Sequence, residues 1–232
     1  MQNASNGVGF EADTRSTCDK ENLVKNVLMA VLALPKEYPG LDALNSTTVY
    51  LMGCMSFGQF CCTWRSLEDP ARFCPFCPTE LARRGRAPLS CVGEWMLLEN
   101  EFPRTDTEQM LLIVPHRHVI NVRDLNGSDW RSIGVLFDYY EIGGSTGGGL
   151  LMRFGDPRNH AGTIDHLHLN VVRPLRESGC SLPLAKNVEG HYGHKEDYER
   201  LHKFVSEIRD RGGVEWLFSD EGIVETQPSV MK

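Results

Sequence analysis

The apolar positions of this chain recur with two different periods, one typical of helices and one typical of strands. Apolar residues three or four positions apart, bounded by prolines or turn residues, predict helices at residues 19–34, 78–84, 129–142 and 196–210. Short apolar runs predict strands at residues 94–98, 109–114, 149–154 and 166–172. We therefore expect an α+β fold.

The order of these elements suggests three parts. Residues 1–70 are predicted to be a partly helical N-terminal extension, since their first twenty residues are polar and small and a boundary falls near Pro70. Residues 71–175 contain every predicted strand and form the predicted core. Residues 176–232 are predicted to be a C-terminal helical extension, built on the amphipathic helix of residues 196–210.

Composition narrows the class of protein. The chain has 232 residues, of which 41% are hydrophobic and 24% charged, as in a typical globular protein. Its longest apolar run covers residues 27–34, far short of the ~20 residues that cross a bilayer, and the N-terminus lacks the pattern of a signal peptide. A net charge of −7 argues against coating a nucleic-acid polymer but allows a local basic pocket. We expect a cytoplasmic protein with no membrane partner.

The eight cysteines have no secretory context, so they are expected to be thiols or metal ligands rather than disulfides. Cys74 and Cys77 stand out because they form Cys-Pro-Phe-Cys. The two-residue spacing lets both sulfurs turn toward one tetrahedral metal ion.

A second pattern lies in the last predicted strand. Alternate residues of a strand share a face, so His166, His168 and Asn170 are expected on one side and the intervening leucines on the other. Two histidines and an amide in a row suit either a solvated edge face or a functional site.

Four elements in this order resemble the histidine-triad (HIT) superfamily of nucleotide hydrolases and nucleotidyl transferases. Its signature His-φ-His-φ-His-φ-φ stands here as HLHLNVV at residues 166–172. The other elements are the Cys-Pro-Phe-Cys motif, the strand–loop–strand unit of residues 94–114, and IVPHRHV at residues 113–119, which looks like the superfamily's φ-φ-Pro-x-x-His-φ element. The resemblance covers roughly residues 72–174 and implies a HIT-like antiparallel sheet of about five strands with one long helix packed on it.

One residue departs from the signature, because the third histidine is replaced by Asn170. In the branch that contains galactose-1-phosphate uridylyltransferase and the diadenosine tetraphosphate phosphorylases, this position is often Gln. Asn is the shorter amide, so the sequence leans toward that branch and away from a plain histidine-triad hydrolase.

By resemblance, His168 is the nucleophile that forms a nucleotidyl-histidine intermediate at a nucleotide α-phosphate. Its second ring nitrogen is expected to donate to a fixed acceptor, in this superfamily usually a backbone carbonyl. The resemblance also implies substrate contacts: ribose hydroxyls at one position, phosphate at the others. These positions are Asn100 for ribose and Asn159, Thr163 and Asn170 for phosphate. Arg173 follows the histidine row and could also reach a phosphate.

The resemblance further implies a closed, structural zinc site formed by Cys74, Cys77, His118 and His166, with His116 as the alternative to His118. The implied function is a phosphorylase, nucleotidyl transferase or hydrolase that acts on dinucleoside polyphosphates or related nucleotides, and the chain could form a homodimer. The alternative is a non-catalytic binding module in which the same cysteines and histidines only hold zinc.

Overall fold

The computed structural model describes residues 55–69, 72–142, 144, 147–155, 162, 164–177, 180, 182, 184 and 195–225. The helix predicted at residues 19–34 lies outside this part of the chain. The division into residues 1–70, 71–175 and 176–232 therefore stays a prediction.

Five strands form one antiparallel sheet, so the predicted α+β class is confirmed. The strands are β1 (Ser90–Val92), β2 (Trp95–Glu99), β3 (Thr107–Pro115), β4 (Gly149–Met152) and β5 (Leu169–Pro174). Their spatial order is β1-β2-β3-β5-β4. The strand that follows the two histidines therefore lies inside the sheet, between β3 and β4.

In the part of the chain that the structure describes, helices precede, interrupt and follow these strands in sequence. The predicted helices at residues 78–84, 129–142 and 196–210 are confirmed to within three residues at each end. The structure also contains three helices that were not predicted, at residues 57–68, 213–217 and 220–225 of the described chain. The described α-helices are, in chain order, α1 (Phe57–Glu68), α2 (Pro78–Arg83), α3 (Gly127–Tyr139), α4 (Lys195–Asp210), α5 (Gly213–Leu217) and α6 (Asp220–Glu225). Among the described residues, no helix combines the length and apolar character needed to cross a bilayer.

Both faces of the central strands are buried, which explains why β2 and β3 are apolar at almost every position. On one face, Trp95 and Ile113 pack with Ile133 of α3. On the other face, the alternate residues of the same strands pack with Leu81 of α2 and with Phe76. The sheet is thus a middle layer between α3 and the segment that contains the two cysteines.

The strand predicted at residues 166–172 begins later than expected. The prediction was wrong for His166 and His168, because β5 starts at Leu169, opposite Ile113. The ladder stops there since β3 ends at Pro115, a residue without a backbone N–H. The N–H of Leu167 instead donates to the carbonyl of Val119 at 2.6 Å. Similarly, the strand predicted at residues 149–154 ends at Met152.

Helix α1 packs against α4 through aromatic rings. The ring centroids of Phe57 and Phe204 are 5.6 Å apart, and those of Phe60 and Phe204 are 5.3 Å apart. A fully buried Arg65 lies over the ring of Phe73 at 4.4 Å. Residues from the predicted N-terminal and C-terminal extensions therefore contact each other. The Arg65–Phe73 contact connects the N-terminal extension to the predicted core, next to Cys74.

A buried carboxylate fixes the start of α3. The Asp129 side chain accepts hydrogen bonds from the Asn126 N–H at 2.8 Å, the Trp95 indole at 2.9 Å and the Arg117 guanidinium at 2.7 Å. The Asn126 side chain in turn accepts from the Asp129 N–H, which completes a capping box. Burial alone would raise the pKa of Asp129, but these hydrogen bonds outweigh it and hold the pKa below the usual 3.8.

We expect Asp129→Ala to lower the free energy of unfolding by about 2 to 4 kcal/mol, because the buried Trp95 indole N–H loses its acceptor. Urea unfolding measures this change. The matched control is Asp138→Ala, which removes an exposed carboxylate from the same helix and should cost less than about 0.5 kcal/mol. Equal effects of the two substitutions would contradict the capping role.

The same carboxylate predicts a pH dependence. A carboxyl group with a lowered pKa in the folded state stabilises the fold above its unfolded pKa, and this contribution is lost as pH falls through the folded pKa. The stability difference between the parent and Asp129→Asn should therefore be constant above about pH 5 and shrink below the usual Asp pKa of 3.8. Urea titrations between pH 3 and 7 measure it, and a gap that widens at low pH would contradict it.

Candidate metal centre and active site

Four side chains from three separate segments converge beneath the sheet. The sulfurs of Cys74 and Cys77 and one ring nitrogen each of His118 and His166 all lie within 4.8 Å of one another. The Sγ–Nδ1 distances are 3.3 Å for Cys74 to His166, 3.4 Å for Cys77 to His118 and 3.6 Å for Cys77 to His166. Tetrahedral zinc bonds place a sulfur and a nitrogen ligand about 3.6 Å apart. The donor set and its spacing fit such an ion.

The cysteine pair is held in a tight turn that leads into α2. The N–H of Cys77 donates to the carbonyl of Cys74 at 3.1 Å, and Pro78 occupies the first position of the helix. The buried Arg84 guanidinium donates to the carbonyl of Pro75 at 2.7 Å. Both sulfurs are therefore positioned by backbone that is hydrogen-bonded on each side.

The ring of His166 is oriented by a contact on the side away from the cysteines. It is 1% exposed, and its Nε2 lies 2.9 Å from the carbonyl of Pro115. A ring that donates from Nε2 presents the Nδ1 lone pair to the two sulfurs. Burial, with the nearby imidazoles of His118 and His168, lowers the pKa of His166 to about 4. The ring is thus neutral at neutral pH, as metal ligation requires.

The thiols respond to burial in the opposite sense. Burial raises the pKa of the Cys74 thiol to about 12, because the thiolate is the form that loses solvation. A metal ion binds the thiolate, so binding at this cluster would displace a proton from Cys74.

His168 lies beside this cluster but is oriented differently. Its Nδ1 is 2.7 Å from the carbonyl of His166, and the ring is partly exposed. A neutral imidazole that donates from Nδ1 carries its lone pair on Nε2, the arrangement a nucleophilic histidine needs. The ring of Phe76, from the Cys-Pro-Phe-Cys turn, lies 4.9 Å from the ring of His168.

His166 and His168 line a pocket at this end of the sheet. The lining also includes Ile120, Arg153, Gly155, Gly162, Ile164 and Asp165. Sequence reasoning gave no role to Phe76 or Arg153. The signal for Phe76 was its place between the two cysteines, and Arg153 was the only charged residue in its predicted strand.

The structure distributes the other predicted residues differently. Asn170 is buried in β5, and its Nδ2 donates to the carbonyl of Leu151 at 3.1 Å. Asn100 lies at the far end of β2, where its Oδ1 accepts from the N–H of Phe102 at 2.9 Å. Neither Asn170 nor Asn100 is among the described residues that line the pocket.

Asn100 is well separated from the histidines along the sheet. Glu99, the residue before it, pairs with Leu111, whereas the His166 contact is at Pro115. The four steps along β3 from Leu111 to Pro115 span about 13 Å.

The other residues predicted to bind phosphate or metal fall into three groups. Asn159 and Thr163 lie outside the described residues. The metal cluster takes in His118 and not His116. Arg173 lies on the face of β5 opposite to Asn170, since Leu169 and Val171, which alternate with Asn170, pack on the α3 side of the sheet.

No family model matches this chain, and no curated protein matches it. Solved structures that resemble it include a hypothetical histidine triad nucleotide-binding protein from Sulfolobus tokodaii, with 15% identity, a TM-score of 0.35, and coverage of 61% of this chain and 97% of that one. A HIT family hydrolase from Clostridium thermocellum has 20% identity, a TM-score of 0.35, and coverage of 47% and 96%. A zinc-bound histidine triad family protein from Mycobacterium smegmatis has 15% identity, a TM-score of 0.35, and coverage of 58% and 96%.

Proposed function

We propose that this chain is a nucleotide-processing enzyme of the HIT type, which breaks or transfers at a nucleotide α-phosphate through His168. The observation that carries the proposal is the Nδ1 contact of His168 with the His166 carbonyl, 2.7 Å long, at the wall of a pocket. This contact leaves the lone pair on Nε2, and it comes from the HLHLNVV motif on which the resemblance rests.

The chemistry follows from that imidazole. Nε2 of His168 attacks the α-phosphorus, a P–N bond forms, and the P–O bond to the leaving group breaks with its electron pair departing on oxygen. Water, inorganic phosphate or a sugar phosphate then attacks the same phosphorus. The P–N bond breaks, and the electron pair returns to Nε2. The acceptor decides whether the enzyme is a hydrolase, a phosphorylase or a nucleotidyl transferase.

Transfer or phosphorolysis is the leading form of the proposal because of Asn170. An amide at this position donates to phosphoryl oxygens but does not titrate, in contrast to a third histidine. Its Nδ2 already donates once, to Leu151, and an amide nitrogen carries a second hydrogen. In this proposal, a phosphoryl oxygen of the substrate would accept the second hydrogen.

Zinc is the metal proposed for the Cys74, Cys77, His118 and His166 cluster. Two sulfurs and two imidazole nitrogens suit zinc, and four protein ligands leave no open position. When bound, the ion would supply structure rather than a reacting group. His166 would then be committed to the metal, which leaves His168 as the imidazole for the reaction.

The nucleophile is tested by trapping. The parent, mixed briefly with labelled dinucleoside polyphosphate, nucleoside phosphoramidate or sugar nucleotide and quenched in base, should carry the label on His168, because phosphoramidates survive base. His168→Ala should lose turnover by several orders of magnitude while it keeps its fold and metal.

The matched control is His202→Ala, which removes an imidazole from α4 outside the pocket and should turn over as the parent does. Label on another residue, or near-parental turnover by His168→Ala, would overturn the mechanism. A protein that holds zinc but carries no label with any substrate would favour the non-catalytic module.

The metal is tested by stoichiometry. We expect one zinc ion per freshly purified chain, and Cys74→Ser should lose the ion and melt at a lower temperature, since a structural metal contributes folding free energy. Cys91→Ser, an exposed cysteine of β1 outside the cluster, should keep both. Elemental analysis showing no zinc in the parent, or equal zinc in the two variants, would contradict this proposal.

The role of Asn170 is tested by a series at that position. Asn170→Ala should reduce kcat by about 10²-fold with a smaller change in KM, in line with loss of one donor to a developing charge. Asn170→Gln, which keeps the amide, should have a smaller reduction in kcat. Asn170→His should give a larger share of hydrolysis product. Product analysis with and without added phosphate measures this. Parental kinetics in all three variants would remove Asn170 from the site.

A further inference from the structure

Arg153 lines the pocket directly after β4, the strand that pairs with β5. In the β4–β5 pair, Gly149 lies opposite Val172 and Met152 lies opposite Leu169. Beyond this last pair, Arg153 follows Met152 and His168 precedes Leu169. The two residues therefore leave the paired strands at the same end of the sheet.

The residues next to Arg153 and His168 pack in the core on the α3 side of the sheet. They are Met152, Leu167 and Leu169. Neither Arg153 nor His168 belongs to that core, and both line the same pocket.

The charge of this pocket depends on the guanidinium. Burial lowers the pKa of Arg153 below 12.5, but a guanidinium stays protonated throughout the physiological range. Among the described lining residues, Arg153 is the permanent cation and Asp165 is the acidic residue.

We propose that Arg153 binds the non-bridging oxygens of the phosphoryl group that His168 attacks. A guanidinium offers two parallel N–H donors to a phosphate, and the pair is stronger where water is partly excluded. In a chain with a net charge of −7, a cation at this position also draws an anionic substrate into an otherwise repulsive field. The role rests on the proposed nucleotide chemistry and adds a residue that the HLHLNVV motif does not contain.

The proposal predicts a loss of affinity that depends on the phosphate alone. Titration calorimetry should compare AMP, GMP, CMP and UMP with the corresponding nucleosides, on the full chain loaded with zinc. Arg153→Met should weaken binding of the preferred nucleotide by about 10- to 100-fold, as expected for a charge-assisted pair, and should leave its nucleoside unchanged. Arg153→Lys keeps the positive charge but loses the two parallel N–H donors. Its affinity for the nucleotide should lie between those of the parent and Arg153→Met.

The matched control is Arg173→Met, which removes the same charge from a half-buried arginine on the opposite face of the adjacent strand. It should bind nucleotides as the parent does. Arg153→Gln gives a second neutral variant if Arg153→Met does not fold. Thermal melting and zinc content identify such a defect.

The outcomes separate this role from the proposed function. If Arg153→Met and Arg153→Gln bind nucleotides as the parent does, or if the parent does not prefer a nucleotide to its nucleoside, the role of Arg153 is wrong. Labelling of His168 in the parent decides the proposed function independently of either result. The assignment is supported if only the Arg153 variants lose affinity for the nucleotide and Arg173→Met binds it as the parent does.

Discussion

The orientation of one buried imidazole governs the geometry of the whole site. His166 contacts the end of β3 through Nε2 and the two cysteine sulfurs through Nδ1, and its own carbonyl accepts the hydrogen bond that orients His168. These contacts involve three segments that are distant in sequence. Because the ring is 1% exposed, its two nitrogens depend on protein partners rather than on water. A shift of Pro115 or of the cysteine turn would therefore reach His168 through the backbone.

The sheet explains why the two histidines differ, although they are two residues apart. Pro115 ends the ladder of β3, so the chain at His166 turns its ring inward to the Pro115 carbonyl rather than continuing a strand. The histidine nearer the sheet, His168, remains partly exposed at the pocket. One ring is thus buried and neutral, and the other is partly exposed at the pocket.

Much of the fold could be predicted because its signals are local. The caps and apolar periods of α3 and α4 lie within a few residues of each helix, and the antiparallel strands follow from short apolar runs. Helix α1 was missed although Phe57, Phe60 and Trp64 have helical spacing, because turn-forming residues precede them and their packing partner, Phe204, lies far along the chain.

The site was less accessible to sequence reasoning, and the reason is register. The spacing of Cys74 and Cys77 is a local property, and the convergence of four ligands agrees with the motif order. By contrast, the placement of Arg153 near His168 depends on which residues of β4 and β5 pair, because the two residues lie just beyond the last pair, Met152 with Leu169. The distance of Asn100 from the histidines has the same origin, because it follows from the pairing of β2 with β3.

The sequence separation of the four ligands also bears on the order of events in folding. Cys77 lies 41 residues from His118 and 89 from His166, and Cys74 lies 92 residues from His166. Closing loops of this length costs chain entropy that the assembled sheet offsets, so we expect the complete Cys/His cluster to form late in folding. An ion that binds after the rate-limiting step slows unfolding and leaves the folding rate nearly unchanged. Metal binding at this cluster would then lower the unfolding rate, and the lifetime of the native state would depend on the supply of metal.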